Sequence, residues 1–139
     1  MSKIAVVYWS GTGNTMKMAE AVAEGAQNAG AEVSLLTAAE FGPADVAAYD
    51  AIAFGCPSMG AEQLEETEFE PMFASVEGAL AGKKTALFGS WGWGGGVWMD
   101  DWKARTEGDG ADLAGTVICA NEPDEDALAQ CRDLGASLA

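Results

Sequence analysis

Ser10-Gly11-Thr12-Gly13-Asn14-Thr15 follows directly on an apolar run, Ile4-Ala5-Val6-Val7-Tyr8-Trp9. Three hydroxyls, an amide and two glycines, with no acid among them, suit an anion more than a cation. Backbone N–H groups at a helix start attract a phosphate, and glycines let it come close. A plain strand-to-helix turn with Ser/Thr capping is the alternative, but six such residues in a row at that position favour the phosphate. No Lys-Ser/Thr pair follows the second glycine, so this is not a Walker loop, and the third glycine of the dinucleotide fingerprint is missing. Lys17 is the only cation nearby in sequence, so neutral donors must hold most of the phosphate.

Two further stretches carry side chains suited to a ring. In Cys56-Pro57-Ser58-Met59-Gly60-Ala61-Glu62, Met59 offers a polarizable thioether to a flat face and Gly60 an unrestricted backbone, while Glu62 can accept from a ring N–H. Taken alone, the same residues also describe an ordinary turn with a surface glutamate. In Gly89-Ser90-Trp91-Gly92-Trp93-Gly94-Gly95-Gly96, two tryptophans stand among glycines with nothing regular to pack them. Exposed aromatics on such a loop meet planar ligands. Trp98 and Trp102 are one helical turn apart and read as core. Together the three stretches describe a planar heterocycle carrying a phosphate, a mononucleotide. FMN fits better than a purine nucleotide, because two facing loops can cover a ring on both sides and no metal-holding Walker element is visible.

These stretches need a scaffold that brings them to one edge. The first apolar run is continuous, as in a strand buried on both faces. Residues 15–29 read as a helix with Ala19, Val22, Ala23 and Ala26 inward and Gly30 as its stop. Residues 32–36 form a second strand, and Pro43 opens a short helix with Val46 and Ala47 inward. Residues 51–55 form a third strand. Phe69, Met72, Phe73, Val76 and Leu80 share a helix face closed by Gly82. Residues 85–88 form a fourth strand, 97–107 a helix and 113–119 a fifth strand. Pro123 starts the last helix, with Leu128, Cys131, Leu134 and Leu138 inward. Strict alternation of strand and helix predicts an α/β, doubly wound, five-stranded parallel sheet in the order 2-1-3-4-5, helices on both faces. Ligands in such sheets sit beyond the carboxyl ends of the strands, where all three stretches lie. No linker or repeat divides residues 1–139, so one domain is expected.

Composition narrows the function. The 139 residues are 49% hydrophobic, enough for a packed core. Seven Lys+Arg against 22 Asp+Glu give a net charge of −15, which disfavours nucleic acid and anionic membranes and favours partners with a basic docking face. The absence of histidine removes His-based triads and the commonest metal ligand. Cys56, Cys119 and Cys131 are odd in number and lack C-x-x-C spacing, so they read as buried thiols rather than disulfides, zinc ligands or iron–sulfur ligands. No signal peptide or membrane-length apolar run is evident. A soluble, cytoplasmic monomer is the expectation.

The sequence closely resembles the flavodoxins of the short-chain class. The resemblance rests on residues 7–15, Gly55-Cys56-Pro57-Ser58-Met59-Gly60-Ala61-Glu62, Phe88-Gly89-Ser90-Trp91-Gly92-Trp93 and Asn121-Glu122-Pro123-Asp124. It covers essentially the whole chain. It implies non-covalent FMN and one-electron transfer, with no catalytic residue and no metal. By this likeness Ser10, Thr12, Asn14 and Thr15 hold the phosphate, with Gly11 and Gly13 contributing backbone. Trp93 would stack on the outer ring face and Met59 on the inner, beside Pro57 and Ser58. Glu62 would accept from ring N3–H. The Gly60–Ala61 peptide would turn on reduction to offer a carbonyl to N5–H. Ser90, Gly92 and Gly94 would meet the pyrimidine end, with Trp91 also among the cofactor-binding residues, and Asn121 would lie near the ribityl and phosphate. Trp91 stands where close relatives often have Tyr, and Ala61 where some have Asp or Ser.

The implied carrier is a low-potential one, working between neutral semiquinone and anionic hydroquinone. A carbonyl accepting from N5–H contributes about 1 kcal/mol, a few tens of mV. A second electron enters beside a phosphate dianion, Glu62 and an acidic surface. A unit charge at ~10 Å with an effective dielectric of ~20 costs ~1.7 kcal/mol, roughly 70 mV. Glu62, Glu65, Glu66, Glu68 and Glu70 could also steer redox proteins with basic docking faces, such as flavodoxin/ferredoxin reductases or oxidoreductases, or could simply be a solvated face. Glu122, Asp124, Glu125 and Asp126 fit helix N-terminal acids. The competing enzyme class is a flavodoxin-like NAD(P)H:quinone reductase, whose longer loops this chain lacks. A response-regulator receiver is disfavoured: Gly55-Cys56-Pro57 stand where it needs an Asp, and no Lys follows the fifth strand.

Overall fold

A computed structural model describes residues 2–11, 13–58, 64–92 and 96–139. The strands are β1 (Lys3–Tyr8), β2 (Glu32–Thr37), β3 (Ala51–Gly55), β4 (Lys84–Trp91) and β5 (Asp112–Ala120). The helices are α1 (Asn14–Asn28), α2 (Pro43–Val46), α3 (Phe69–Val76), α4 (Val97–Gly108) and α5 (Glu125–Leu138), with 3-10 turns at Ala38–Glu40 and Glu77–Ala79. All pairings are parallel, in the order β2-β1-β3-β4-β5. This is the predicted doubly wound topology.

Successive side chains on a strand point to opposite faces, and the two cores follow that period. Ile4, Val6, Ala51, Ala53, Ala86 and Phe88 face α1 and α5, meeting Met18, Val22, Cys131 and Leu134. Ala5, Val7, Ile52, Phe54 and Leu87 face the other way, towards Phe69, Phe73, Trp98 and Trp102. Trp98 and Trp102 are buried in that second core, as their spacing predicts. Phe69 and Phe73 meet the Trp102 ring edge-on at 5.4 and 5.7 Å, so α3 and α4 are joined through aromatic side chains. On the first face, small residues let α1 and α5 approach closely. A Cβ on Gly135 would lie 1.9 Å from the Val22 carbonyl oxygen, and one on Gly25 the same distance from that of Arg132.

Four local expectations change. Ala47 is exposed, because α2 ends at Val46, which alone points inward. Gly89 does not end β4; the ladder to β5 runs on through Gly89–Ile118, Ser90–Cys119 and Trp91–Ala120. Gly89 lies where a Cβ would come within 2.1 Å of the Cys56 carbonyl oxygen, so its lack of a side chain serves close strand packing. The last helix begins at Glu125 rather than Pro123, because Asp124 is its N-cap, accepting the Ala127 N–H at 2.8 Å. Cys119 is only half-buried, while Cys56 and Cys131 are buried.

Candidate functional site

The carboxyl ends of β1, β3 and β4 open into a cleft of about 240 Å³ lined by Trp9, Gly11, Asn14, Pro57, Ser58, Ser90, Trp91, Gly92 and Asn121. The first loop is shaped by its own residues. Gly13 takes φ +95°, a left-handed conformation that other residues resist, and donates its N–H to Ser10 Oγ at 3.0 Å. This turn starts α1 at Asn14, so the helix N-terminus faces the cleft. Thr15, in its first turn, is buried, and its hydroxyl lies 3.3 Å from the Ser90 hydroxyl on β4. Ser90 in turn accepts the Ser58 N–H at its carbonyl, at 3.0 Å. A short chain of hydrogen bonds thus ties the first loop to β4, and β4 to the segment after β3.

Asn121 closes the far side. It has φ +57°, uncommon for a residue with a side chain, and donates its N–H to the Trp91 carbonyl at 2.7 Å. Of the predicted site residues, the structure brings Gly11, Asn14, Pro57, Ser58, Ser90, Trp91, Gly92 and Asn121 to the cleft. Ser10 and Gly13 lie on a neighbouring groove of about 420 Å³, with Tyr8, Trp9, Met16, Thr37 and Glu68. Thr15 sits beneath the first loop. Thr12, Met59, Gly60, Ala61, Glu62, Trp93 and Gly94 lie outside the described residues. Trp91 is not on an exposed loop; it ends β4 half-buried against the core and still lines the cleft.

Trp9 is the residue that sequence reasoning did not single out. It lines both the cleft and the neighbouring groove. Its ring packs over Gly11, where a Cβ would come within 3.1 Å of it. The available signal was its position as the last apolar residue before the first loop.

The charges are arranged differently from a simple acidic rim. Lys17 is not aimed at the first loop alone; its ammonium bonds Glu122 at 2.6 Å and holds that carboxyl below the usual carboxylate range. Glu65 is not a surface charge. Its carboxylate accepts from the Glu68 and Phe69 N–H groups at 2.7 and 2.9 Å, from the Thr67 N–H at 2.9 Å, and from the Thr67 hydroxyl. Burial pushes the Glu65 carboxyl up, but these donors outweigh it and bring it down to about 2. Glu70 is engaged by Arg105 in a two-point pair at 2.8 and 2.9 Å, while Arg105 Nε reaches Glu77 at 2.6 Å. Two of the five acids expected to face a partner therefore serve α3 and α4 instead, and Glu62 lies outside the described residues. The acids after Pro123 do sit at a helix start. Burial pushes the Cys56 and Cys131 thiols up, the latter to about 12, so neither offers a thiolate at neutral pH.

Among the described residues no carboxylate lines the 240 Å³ cleft, and the donors there are neutral amides and hydroxyls beside a helix start and two indoles. That donor set fits a phosphate ester on an aromatic group. The family model for flavodoxin matches residues 6–135. The chain belongs to the flavodoxin family. A flavodoxin of Megasphaera elsdenii is 46% identical over 136 residues, covering 98% of each chain. One of Clostridium beijerinckii is 44% identical over 135 residues, covering 96% of this chain and 97% of the relative. The solution structure of two-electron reduced Megasphaera elsdenii flavodoxin superposes with a TM-score of 0.90 at 45% identity, covering 97% of each chain. Membership makes this protein an FMN-binding electron carrier that works with redox partners. No helix among the described residues is long and apolar enough to cross a membrane.

Proposed function

We propose that the protein is a low-potential one-electron carrier, cycling mainly between the neutral semiquinone and the anionic hydroquinone of FMN held in the 240 Å³ cleft. The observation that carries this reading is the cleft itself: neutral donors from four strand ends, two indole walls and no cation among its described lining residues. Bound FMN supplies one-electron chemistry, and the chain's residues supply binding, orientation and field. In this reading Ser10, Thr12, Asn14 and Thr15 donate to the phosphate with the Gly11 and Gly13 backbone, and Asn121 meets the ribityl side. Pro57, Ser58, Ser90, Trp91, Gly92 and Gly94 hold the ring. Met59 and Trp93 cover it, Glu62 accepts from N3–H, and the Gly60–Ala61 peptide offers a carbonyl to N5–H.

The proposed potential follows from charge. Lys17 is already neutralised by Glu122, and the chain carries a net charge of −15, so the second negative charge meets no compensating cation. Each acid within about 10 Å adds ~1.7 kcal/mol against it at an effective dielectric of ~20. We further read the carrier as one cytoplasmic, monomeric domain of residues 1–139 that docks basic-faced redox proteins. The test is an anaerobic potentiometric titration of the FMN-loaded protein, followed by absorbance. Two separated one-electron steps, the second much harder, are expected. A single two-electron step would overturn the proposed cycling.

A further inference from the structure

Glu65 is a buried acid that the binding reading above does not use. It sits seven residues after Ser58, and its own backbone is tied back to β3. The Glu65 N–H donates to Cys56 Sγ at 3.4 Å. Its carboxylate simultaneously gathers the N–H groups of Thr67, Glu68 and Phe69, which open α3. One residue therefore fixes both the start of α3 and its distance from the end of β3.

Cys56 is the other half of the device. Its N–H donates to the Phe88 carbonyl at 3.1 Å, and its carbonyl accepts the Trp98 indole N–H from α4 at 3.2 Å. Gly89 leaves room for that carbonyl, since a Cβ there would come within 2.1 Å of its oxygen. Cys56 is thus held through backbone N–H, carbonyl and sulfur by β4, α4 and Glu65. The next two residues, Pro57 and Ser58, line the cleft, and the Ser58 N–H bonds Ser90. A small shift of Cys56 passes directly into the cleft wall, because packed interiors transmit displacement rather than absorb it.

We propose that Glu65 is a positioning residue of the cofactor site, acting through Cys56 on Pro57 and Ser58, and that it sets FMN affinity and the flavin potentials without touching FMN. This rests on the reading that FMN occupies the 240 Å³ cleft. Glu65→Gln keeps the shape and one acceptor but loses the charge that gathers three N–H groups. Cys56→Ala leaves the Glu65 carboxylate intact and removes the sulfur, which accepts the Glu65 N–H and itself donates to the Pro57 carbonyl at 3.5 Å, while Cys56→Ser restores a small donor and acceptor there.

The experiment measures three quantities on wild type, Glu65→Gln, Cys56→Ala and Cys56→Ser: FMN Kd by fluorescence quenching, both midpoint potentials, and urea stability. Asn14→Ala is included as a check on the cleft. The expected result is a Kd about five- to tenfold weaker for Glu65→Gln and for Cys56→Ala, with displaced potentials in both and partial recovery in Cys56→Ser. Loss of stability in Glu65→Gln with unchanged Kd and potentials would make Glu65 a helix cap only and overturn the proposal. If Glu65→Gln does not fold, unchanged Kd and potentials in Cys56→Ala overturn it equally. An Asn14→Ala protein that binds FMN as tightly as wild type would instead show that the cleft reading is wrong, separately from Glu65.

Discussion

A pair of hydroxyls, on Thr15 and Ser90, joins two elements far apart in sequence at the base of the cleft. Thr15→Val keeps the volume and removes the bond along with one proposed phosphate donor. FMN Kd should weaken about fivefold or more, since a buried polar partner left unsatisfied costs about 1–3 kcal/mol. A fluorescence titration with an unchanged Kd would take Thr15 out of the site. Glu65 makes a different prediction, about acid. Its carboxyl is held at about 2 in the fold against an ordinary 4.5. A depressed acid gives stability that is complete above the unfolded value and lost as pH falls through the folded one. Urea melts of wild type between pH 5 and 2 should therefore lose on the order of 3 kcal/mol more than those of Glu65→Gln. Equal losses would show that Glu65 is not the titrating group. The sequence could show five acids in nine residues but not that three backbone N–H groups converge on one of them. Such a cluster looks solvated until the turn that folds over it is known.

The alternation of strands and helices was legible because burial on both faces leaves continuous apolar runs, and β1, β3 and the α3 stripe carry that mark plainly. Element ends were less so. Gly89 lies just past the expected strand, yet the pairing partner on β5 and the close Cys56 carbonyl decide that β4 continues to Trp91. The contact between α1 and α5 was invisible for a related reason. A glycine's role there is set by a backbone oxygen on another helix, and nothing in the local pattern of Gly25 or Gly135 announces it. Gly135→Ala should destabilise by about 1–3 kcal/mol, the usual cost of overpacking, because the Val22 carbonyl cannot swing away as a side chain would. Gly108→Ala, where nothing lies within 4 Å of the added Cβ, is the comparison. Chemical denaturation of the two variants checks it; equal stabilities would mean that α5 slides to accommodate the methyl.

The sign of the whole molecule governs how it meets other proteins. With a net charge of −15, association with a basic-faced redox protein should be accelerated at low salt and slow as ionic strength rises. Stopped-flow electron transfer to such a partner across a salt series reads this directly; a flat series would make the charge a matter of solubility alone. The distribution matters as well as the total. Glu65 is buried and the half-buried Glu70 is paired with Arg105, while Glu66 and Glu68 are the exposed acids of that segment among the described residues. The tryptophans give the molecule an optical consequence. Trp9 and Trp91 wall the cleft, and Trp98 and Trp102 are embedded in the core a short distance behind it. A yellow, light-absorbing ring held in that cleft would drain the ultraviolet emission of the tryptophans around it. The empty protein should glow and the loaded one stay dark, so the chain carries its own gauge of how full it is.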